Sequence, residues 1–425
     1  MLNVLFLNGG RGASSLITDL LSRKVANITS IVNAYDDGKS TGQIRDFFKM
    51  LGPSDIRKVQ EVMLPTNDPN YEQYKAIFSY RFPFLIGRDD ALSGLKEFTL
   101  SKTNRLVGVL ITNQEVLDVL RVFIARFLDG LYLIEKIDSL VFKFKDCSIM
   151  NCIYAGAYLH FDRNIEKATK AIDKLFRLRG TVYPTTIENK KLVALRENGE
   201  MLYSEAEIVE LRSNVRIERI YLLDHSLDRK IFDRVSCVDK RRYLETHNCY
   251  VSILESVELS IKQADIIVYA AGTQHSSLYP TYMSSGLAAK IAENQRSLKV
   301  FLTNIGADYE TPGYNVSDYL SGAYKYLSLS SNRKYKPSEL FDYLLINVPN
   351  SFSDRHVSFD ENKVKTLGVK YLTSDFECSR NPGKHDGKKV MDVVLNLYSA
   401  KVIEHQCVNC SYNVVNQYDL APNNA

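Results

Sequence analysis

The opening of this chain most constrains what it can fold into. Residues 4–7 (VLFL) form a short apolar run that ends in Asn8-Gly9-Gly10-Arg11-Gly12. Residues 14–21 follow with helical spacing, and residues 28–32 are a second β-branched run. Strand, glycine loop, helix and strand in that order begin a parallel α/β sheet. Parallel strands need a crossover, and the helix supplies it, right-handed by default. The same texture returns late in the chain. Residues 265–271 (DIIVYAA) are a continuous apolar run ending at Gly272, which suits a strand buried on both faces. Residues 299–303 and 343–347 predict further strands, 280–293 a helix, and 388–399 a final amphipathic helix. The expected fold is α/β, a doubly wound and mostly parallel sheet.

Between these stretches the pattern becomes helical. Asn67, Asp68 and Pro69 punctuate a loop, and residues 116–127 and 129–140 read as two amphipathic helices. Residues 61–145 are therefore expected to be a helical insertion between two sheet-forming stretches, 1–60 and 146–400. Helices are expected at 151–160 and 165–178, and strands at 181–183 and 192–195, with an Asn198-Gly199 turn after them. Residues 401–425 are polar and are expected to form a loose tail.

Composition narrows the function. The 425 residues carry 54 basic and 50 acidic side chains, a net charge of +4 with no basic stripe, which argues against a dedicated nucleic-acid binder. Cysteines at 147, 152, 237, 249, 378, 407 and 410 are odd in number and irregular in spacing, so a reducing, cytoplasmic setting is expected rather than a disulfide framework. MLNVLFLNGG reads as a first strand, not a signal peptide. No uncharged apolar stretch reaches the roughly 18 residues that a membrane span needs, so no membrane partner is expected.

In an open parallel sheet, ligands bind beyond the carboxyl ends of the strands, where the strand order reverses. Four clusters fall at such ends. Gly9, Gly10, Arg11 and Gly12 precede a helix, where glycines admit a phosphate close to the backbone and the free N–H groups face it; a plain tight turn is the rival reading. Asp36-Asp37-Gly38-Lys39-Ser40-Thr41-Gly42, then Arg45, can hold a divalent metal, accept a ligand hydroxyl or act as a base; helix capping by Asp37 or Ser40 is the alternative. Asp55 two before Arg57 in Pro53-Ser54-Asp55-Ile56-Arg57-Lys58 can aim that arginine at a phosphate, or form only a capped helix with a surface ion pair. Gly272-Thr273-Gln274-His275-Ser276-Ser277 makes a second anion cradle, with His275 either an acid–base group or a hydrogen-bonding side chain. His405, Cys407 and Cys410 are half of a zinc site at most, and His385-Asp386 is at best an orienting pair.

In this order the clusters resemble the CofD-like family, which includes 2-phospho-L-lactate transferases and YvcK-type gluconeogenesis factors. Asn8 to Gly12 resembles GGGTG, Tyr35 to Gly42 resembles ADDGGSSG, and Pro53 to Lys58 resembles PGDIRN. Asn151 stands at the asparagine of a GN pair, and Arg179 to Thr186 resembles RGxVxPxT. Ala270 to Pro280 resembles GPGSLYTSIIP, and Asn304 to Asp318, with Tyr314, resembles N…GETxGYxxxDH. The likeness covers most of residues 1–400 and is nearer the YvcK branch.

The resemblance implies a Rossmann-like domain and a nucleotide or nucleotide-sugar ligand. Gly9, Gly10, Gly12, Gly272 and Thr273 would line the nucleotide side. Asp36 and Asp37 would face Mg²⁺ or an acceptor hydroxyl, and Asn151 and Tyr314 would complete the pocket. The remaining ligand-facing candidates are Arg11, Lys39, Ser40, Asp55, Arg57, His275, Ser276 and Asn304. The transferase branch implies Mg²⁺-dependent transfer of a phosphoryl-linked group from a nucleoside diphosphate donor to an alcohol. The YvcK branch implies nucleotide-sugar binding without turnover, and a homodimer is an expected state. Arg11, Lys39, Met150 and His275 depart from the motifs. A nicotinamide-dependent oxidoreductase is a third reading, with no fingerprint loop to support it.

Overall fold

The computed structural model describes residues 1–331, 333–349 and 353–418. Its centre is a seven-stranded sheet: β1 (Leu2–Asn8), β2 (Ala26–Val32), β3 (Thr181–Pro184), β4 (Ile266–Tyr269), β5 (Leu298–Leu302), β6 (Tyr343–Asn347) and β7 (Lys370–Ser374), in the spatial order β7-β6-β5-β4-β1-β2-β3. Every neighbouring pair is parallel. This is the Rossmann-like α/β arrangement expected from the sequence. Val4–Leu7 and the whole of β4 are buried because helices cover both faces, so these strands are continuously apolar. Leu7 lies level with Ile31 on one side and Tyr269 on the other. The loops that follow β1, β2 and β4 therefore open on one edge, where the order reverses between β1 and β4.

Helix α1 (Ser14–Arg23) crosses from β1 to β2 and packs against the start of the last helix, Gly387–Tyr418. A Cβ on Gly387 would lie 2.0 Å from the Ser15 carbonyl oxygen, and Arg23 pairs with Asp392 at 2.7 Å. That last helix runs through residues 401–418, expected as a loose tail. Residues 419–425, and the His405, Cys407 and Cys410 side chains, lie outside the described residues.

Two other readings differ, and a third gains a strand. Residues 116–127 and 129–140 are one helix, Gln114–Asp138. Gly130 does not break it: a Cβ there would come within 2.3 Å of Leu159 Cδ1, so this glycine admits the helix Ile149–His160 at close range. The expected helix at 280–293 is instead a π-helical turn (Gln274–Leu278) leading into Tyr279–Tyr282, then Leu287–Glu293. Gly286 takes φ +90°, and Ser285 N–H donates to the Val251 carbonyl at 2.7 Å, so the backbone leaves the helix to pair elsewhere. The strands at 191–196 and 201–202, joined by the Asn198-Gly199 turn, take a third partner in Ile217–Leu223 and form an antiparallel sheet. It has a small core of its own, including Val193, Tyr221, Phe232 and Leu244.

The helical stretch after residue 61 supports the sheet from behind. Phe47 and Phe48 of α2 (Lys39–Phe48) pack against Phe142 and Phe127, with ring centroids 5.3 and 5.6 Å apart. Among the described residues no helix is long and apolar enough to cross a membrane.

Gly12 lies where the β1 and β4 loops touch, and a Cβ there would sit 2.0 Å from the Ala271 carbonyl oxygen. Gly12→Ala is expected to cost about 3 kcal/mol, an overpacking penalty with backbone on the other side. Gly94, in the open helix Arg88–Thr99, has nothing within 4 Å of its Cβ position. Gly94→Ala should gain about 0.5–1 kcal/mol from helix propensity. Urea unfolding midpoints of both variants check this, and an unchanged Gly12→Ala midpoint would remove the contact from the account.

Candidate functional site

The loops at the β1/β4 reversal are held by short polar side chains. Asn33, just beyond β2, donates Nδ2–H to the Ser276 carbonyl at 2.9 Å, and a Cβ on Gly9 would meet Ser277 Cβ at 2.7 Å. Asn304, at the end of β5, grips the Gly272 peptide with both ends of its amide: Gly272 N–H to Oδ1 and Nδ2–H to the Gly272 oxygen, both 3.0 Å. Glu310, buried, accepts from His275 N–H at 2.9 Å, Ser276 N–H at 3.0 Å and Ser276 Oγ–H at 2.5 Å. Burial, then the nearby Asp308 charge, push its carboxyl up to about 8.

His275 is wholly buried, with its ring centroid 5.0 Å from Tyr279 and 6.2 Å from Tyr314. Burial pulls its pKa down to about 3, so the ring is neutral near pH 7. It packs the wall of the cleft, and its Nδ1 has no hydrogen-bond partner. Tyr314 is half-buried beneath the Arg216 guanidinium, 4.9 Å from the ring centre.

The acid loop after β2 is set from three directions. Arg45, fully buried, donates to the Tyr35 carbonyl at 2.6 Å, to Asn189 Oδ1 at 2.8 Å and to the Lys190 carbonyl at 2.8 Å. Gly42 and Gly52 let backbone close over the loop; Cβ atoms there would lie 2.0 Å from the Asp37 oxygen and 2.3 Å from the Asp36 oxygen. Asp37 and the helix Glu205–Glu210 clamp each other: Asp37 N–H donates to Glu205 Oε2 at 3.2 Å, and Ala206 N–H to Asp37 Oδ1 at 2.9 Å. Asp36 accepts from Gly38 N–H at 3.0 Å. Burial first, then the Asp55 charge, raise its pKa against the pull of Lys58. Burial and the Asp36 charge push Glu205 up to about 9. Glu205 was not among the residues picked out from the sequence: acids after a serine cap, as in Ser204-Glu205-Ala206-Glu207, look like any ordinary helix start. Lys39 is exposed and has φ +47°, a left-handed value at a position where the ADDGGSSG motif has glycine.

The third wall begins at α3 (Ser54–Val62). Lys58 Nζ donates to Asp55 Oδ1 at 2.8 Å and lies 3.9 Å from Asp36 Oδ2. The Gly10 backbone rests on this pair, since a Cβ there would be 2.6 Å from Asp55 Oδ1 and 2.7 Å from Lys58 Cδ. Arg11 turns outward, largely exposed, to Glu61 at 3.4 Å. Ser40 Oγ accepts from Arg81 at 3.2 Å and from Asn151 Nδ2–H at 3.3 Å, and Asn151 Oδ1 has no partner. Arg57 is buried with Nε unpartnered, and burial, then the charge of Arg81, lower its pKa. The picked residues thus gather on the loops that meet at the β1/β4 reversal, with Gly9, Gly10, Thr273 and Ser276 on those loops. Arg11 and Lys39 sit at the outer rim of this group, and His275 lies buried behind it.

This geometry agrees with a family model, 2-phospho-L-lactate transferase CofD, that matches residues 4–377. The chain belongs to the CofD family. As a CofD-family member it is 24% identical over 408 residues to a putative gluconeogenesis factor of Thermoanaerobacterium thermosulfurigenes, covering 93% of this chain and 96% of that one. It is 25% identical over 404 residues to the gluconeogenesis factor of Listeria monocytogenes, covering 92% and 94%. A solved structure of a Bacillus halodurans protein of the UPF0052 family superposes with a TM-score of 0.64 at 20% identity, over 93% of this chain and all of that one.

Glu310 ties the CofD-family cradle to pH. Its folded pKa of about 8 lies above its ordinary 4.5. Its contribution to stability is fully present below about pH 4.5 and is lost as pH rises through about 8. Stability measured by urea unfolding should therefore fall between about pH 5 and pH 8 and level off above that, and Glu310→Gln should flatten that fall. An equally steep fall in the variant would assign the effect to other groups.

Proposed function

We propose that this chain binds a nucleoside diphosphate-linked ligand, of the nucleotide-sugar class, across the β1/β4 reversal and acts as a regulatory sensor of it. The observation that carries this reading is Arg57. Its guanidinium is nine-tenths buried and, among the described residues, has no hydrogen-bond or ion-pair partner. A buried, unpaired cation is costly unless an anion meets it. Arg57 lies beside Arg81, near the glycine loop, where a diphosphate would supply the missing charge with fork-like hydrogen bonds. The regulatory half rests on two supports. The relatives above are named gluconeogenesis factors. The groups best placed for proton transfer are otherwise engaged, with Asp37 and Glu205 clamped to backbone N–H groups and His275 buried.

Asp36 favours a second reading, the transferase. A carboxyl with a raised pKa beside the cleft suits acceptance of a proton from an alcohol that attacks a phosphoryl-linked donor. The Mg²⁺ that the resemblance brings does not fit these residues. Among the described residues no group of three or more His, Cys, Asp or Glu side chains is arranged to hold a metal ion, and Lys58 stands between Asp36 and Asp55. Positive charge on the ligand's side comes from the chain's own arginines and lysine.

Isothermal titration with nucleoside diphosphates and nucleotide sugars tests both readings. Arg57→Gln should weaken binding by about tenfold or more, the usual loss for one charge-assisted hydrogen bond, without lowering the melting temperature. Undiminished affinity in that variant sinks the site. Turnover of any donor–alcohol pair that disappears in Asp36→Asn would move the assignment to the transferase.

A further inference from the structure

We propose that Lys58 is a built-in replacement for a divalent cation, so that this chain binds its phosphate ligand without metal. This rests on the diphosphate reading above. In the motif that residues 53–58 resemble, the last position is asparagine; here it is lysine. The substitution places an ammonium at the junction of three elements. The Lys58 stem passes beneath Gly10, within 2.7 Å of that residue's Cβ position. Its nitrogen donates to Asp55 Oδ1 at 2.8 Å and lies 3.9 Å from Asp36 Oδ2.

A bound Mg²⁺ would do the same work: gather two carboxylates, offset their repulsion and present positive charge to a phosphate oxygen. An ammonium has three donors and no acceptor. One is spent on Asp55 and a second faces Asp36, which leaves a third for a ligand oxygen on the Gly10 side. The two carboxylates need such a cation, because Asp36 is largely buried and each charge raises the cost of the other. With the ammonium in place, a divalent ion entering between them would meet a positive charge at contact distance and would have to expel it.

The test uses metal alone and nucleotide separately. The full-length protein is titrated with Mn²⁺ and free ion is followed by electron paramagnetic resonance. The wild type should bind no Mn²⁺ that Asp36→Asn removes, whereas Lys58→Asn should gain one such site. Nucleoside diphosphate affinity of the wild type should be equal in EDTA and in MgCl2. In Lys58→Asn it should fall about tenfold in EDTA, as for loss of one charged hydrogen bond, and recover with MgCl2. Lys58→Arg, which keeps the charge, should stay metal-indifferent. An Asp36-dependent Mn²⁺ site in the wild type would overturn the proposal, and this arm requires no variant at Lys58 to fold. Nucleotide binding by the wild type that needs MgCl2 would overturn it too. Absence of nucleotide binding in every condition would instead remove the ligand reading, while the Mn²⁺ titration would still decide what Lys58 replaces.

Discussion

The pairing of β1 with β4 is the constraint on which the rest of this structure depends. It joins segments 262 positions apart, closed at the base by Asn3 N–H donating to Asp265 at 2.8 Å. Apart from β3, everything between β2 and β4 is an excursion that must return to the sheet. The cost of closing so long an excursion is offset by burial of Val4–Leu7 and of all of β4. Pairing also creates the functional edge. Strand order reverses only there, and Gly12 keeps its two loops in backbone contact.

Charge in the cleft follows a simple division. Acids come from the β2 loop, from α3 and from the helix Glu205–Glu210; cations come from α3 and from the helical stretch behind it. Burial and neighbouring carboxylates raise the cost of ionising Asp36 and Glu205, and Lys58 is the cation that meets Asp36 and Asp55. Arg81 is ion-paired to Asp146 at 2.6 Å and also donates to Ser40, whereas Arg57 beside it has no such partner among the described residues.

Much of this was legible in the sequence because the strands of a parallel sheet are long apolar runs and its loops are rich in glycine. β1, β2, β4, β5 and β6 lay where such runs lie. β7 did not announce itself: it is an edge strand whose residues, Lys370 to Ser374, are largely exposed and carry no apolar run. Gly130 and Gly286 show why glycine misleads in both directions. One sits inside a straight helix for the sake of a neighbour, and the other ends a helix that periodicity would have continued. The glycine loops and the Asp36-Asp37 pair were readable because they are contiguous. Glu205 and Arg81 were not, since only the three-dimensional path brings Glu205 to Asp37 and Arg81 to Ser40.

The reciprocal clamp between Asp37 and the Glu205 helix has a mechanical consequence. Arg45 adds a second fastening from the same loop to Asn189 and Lys190, at the root of the small sheet. Arg216, from just before the strand Ile217–Leu223, reaches across to the Pro312 carbonyl at 3.2 Å, beside Tyr314. The small sheet is therefore geared to both sides of the cleft. The acid loop and the Pro312 segment, which share no strand, are thus fixed in relation to each other through a sheet that belongs to neither.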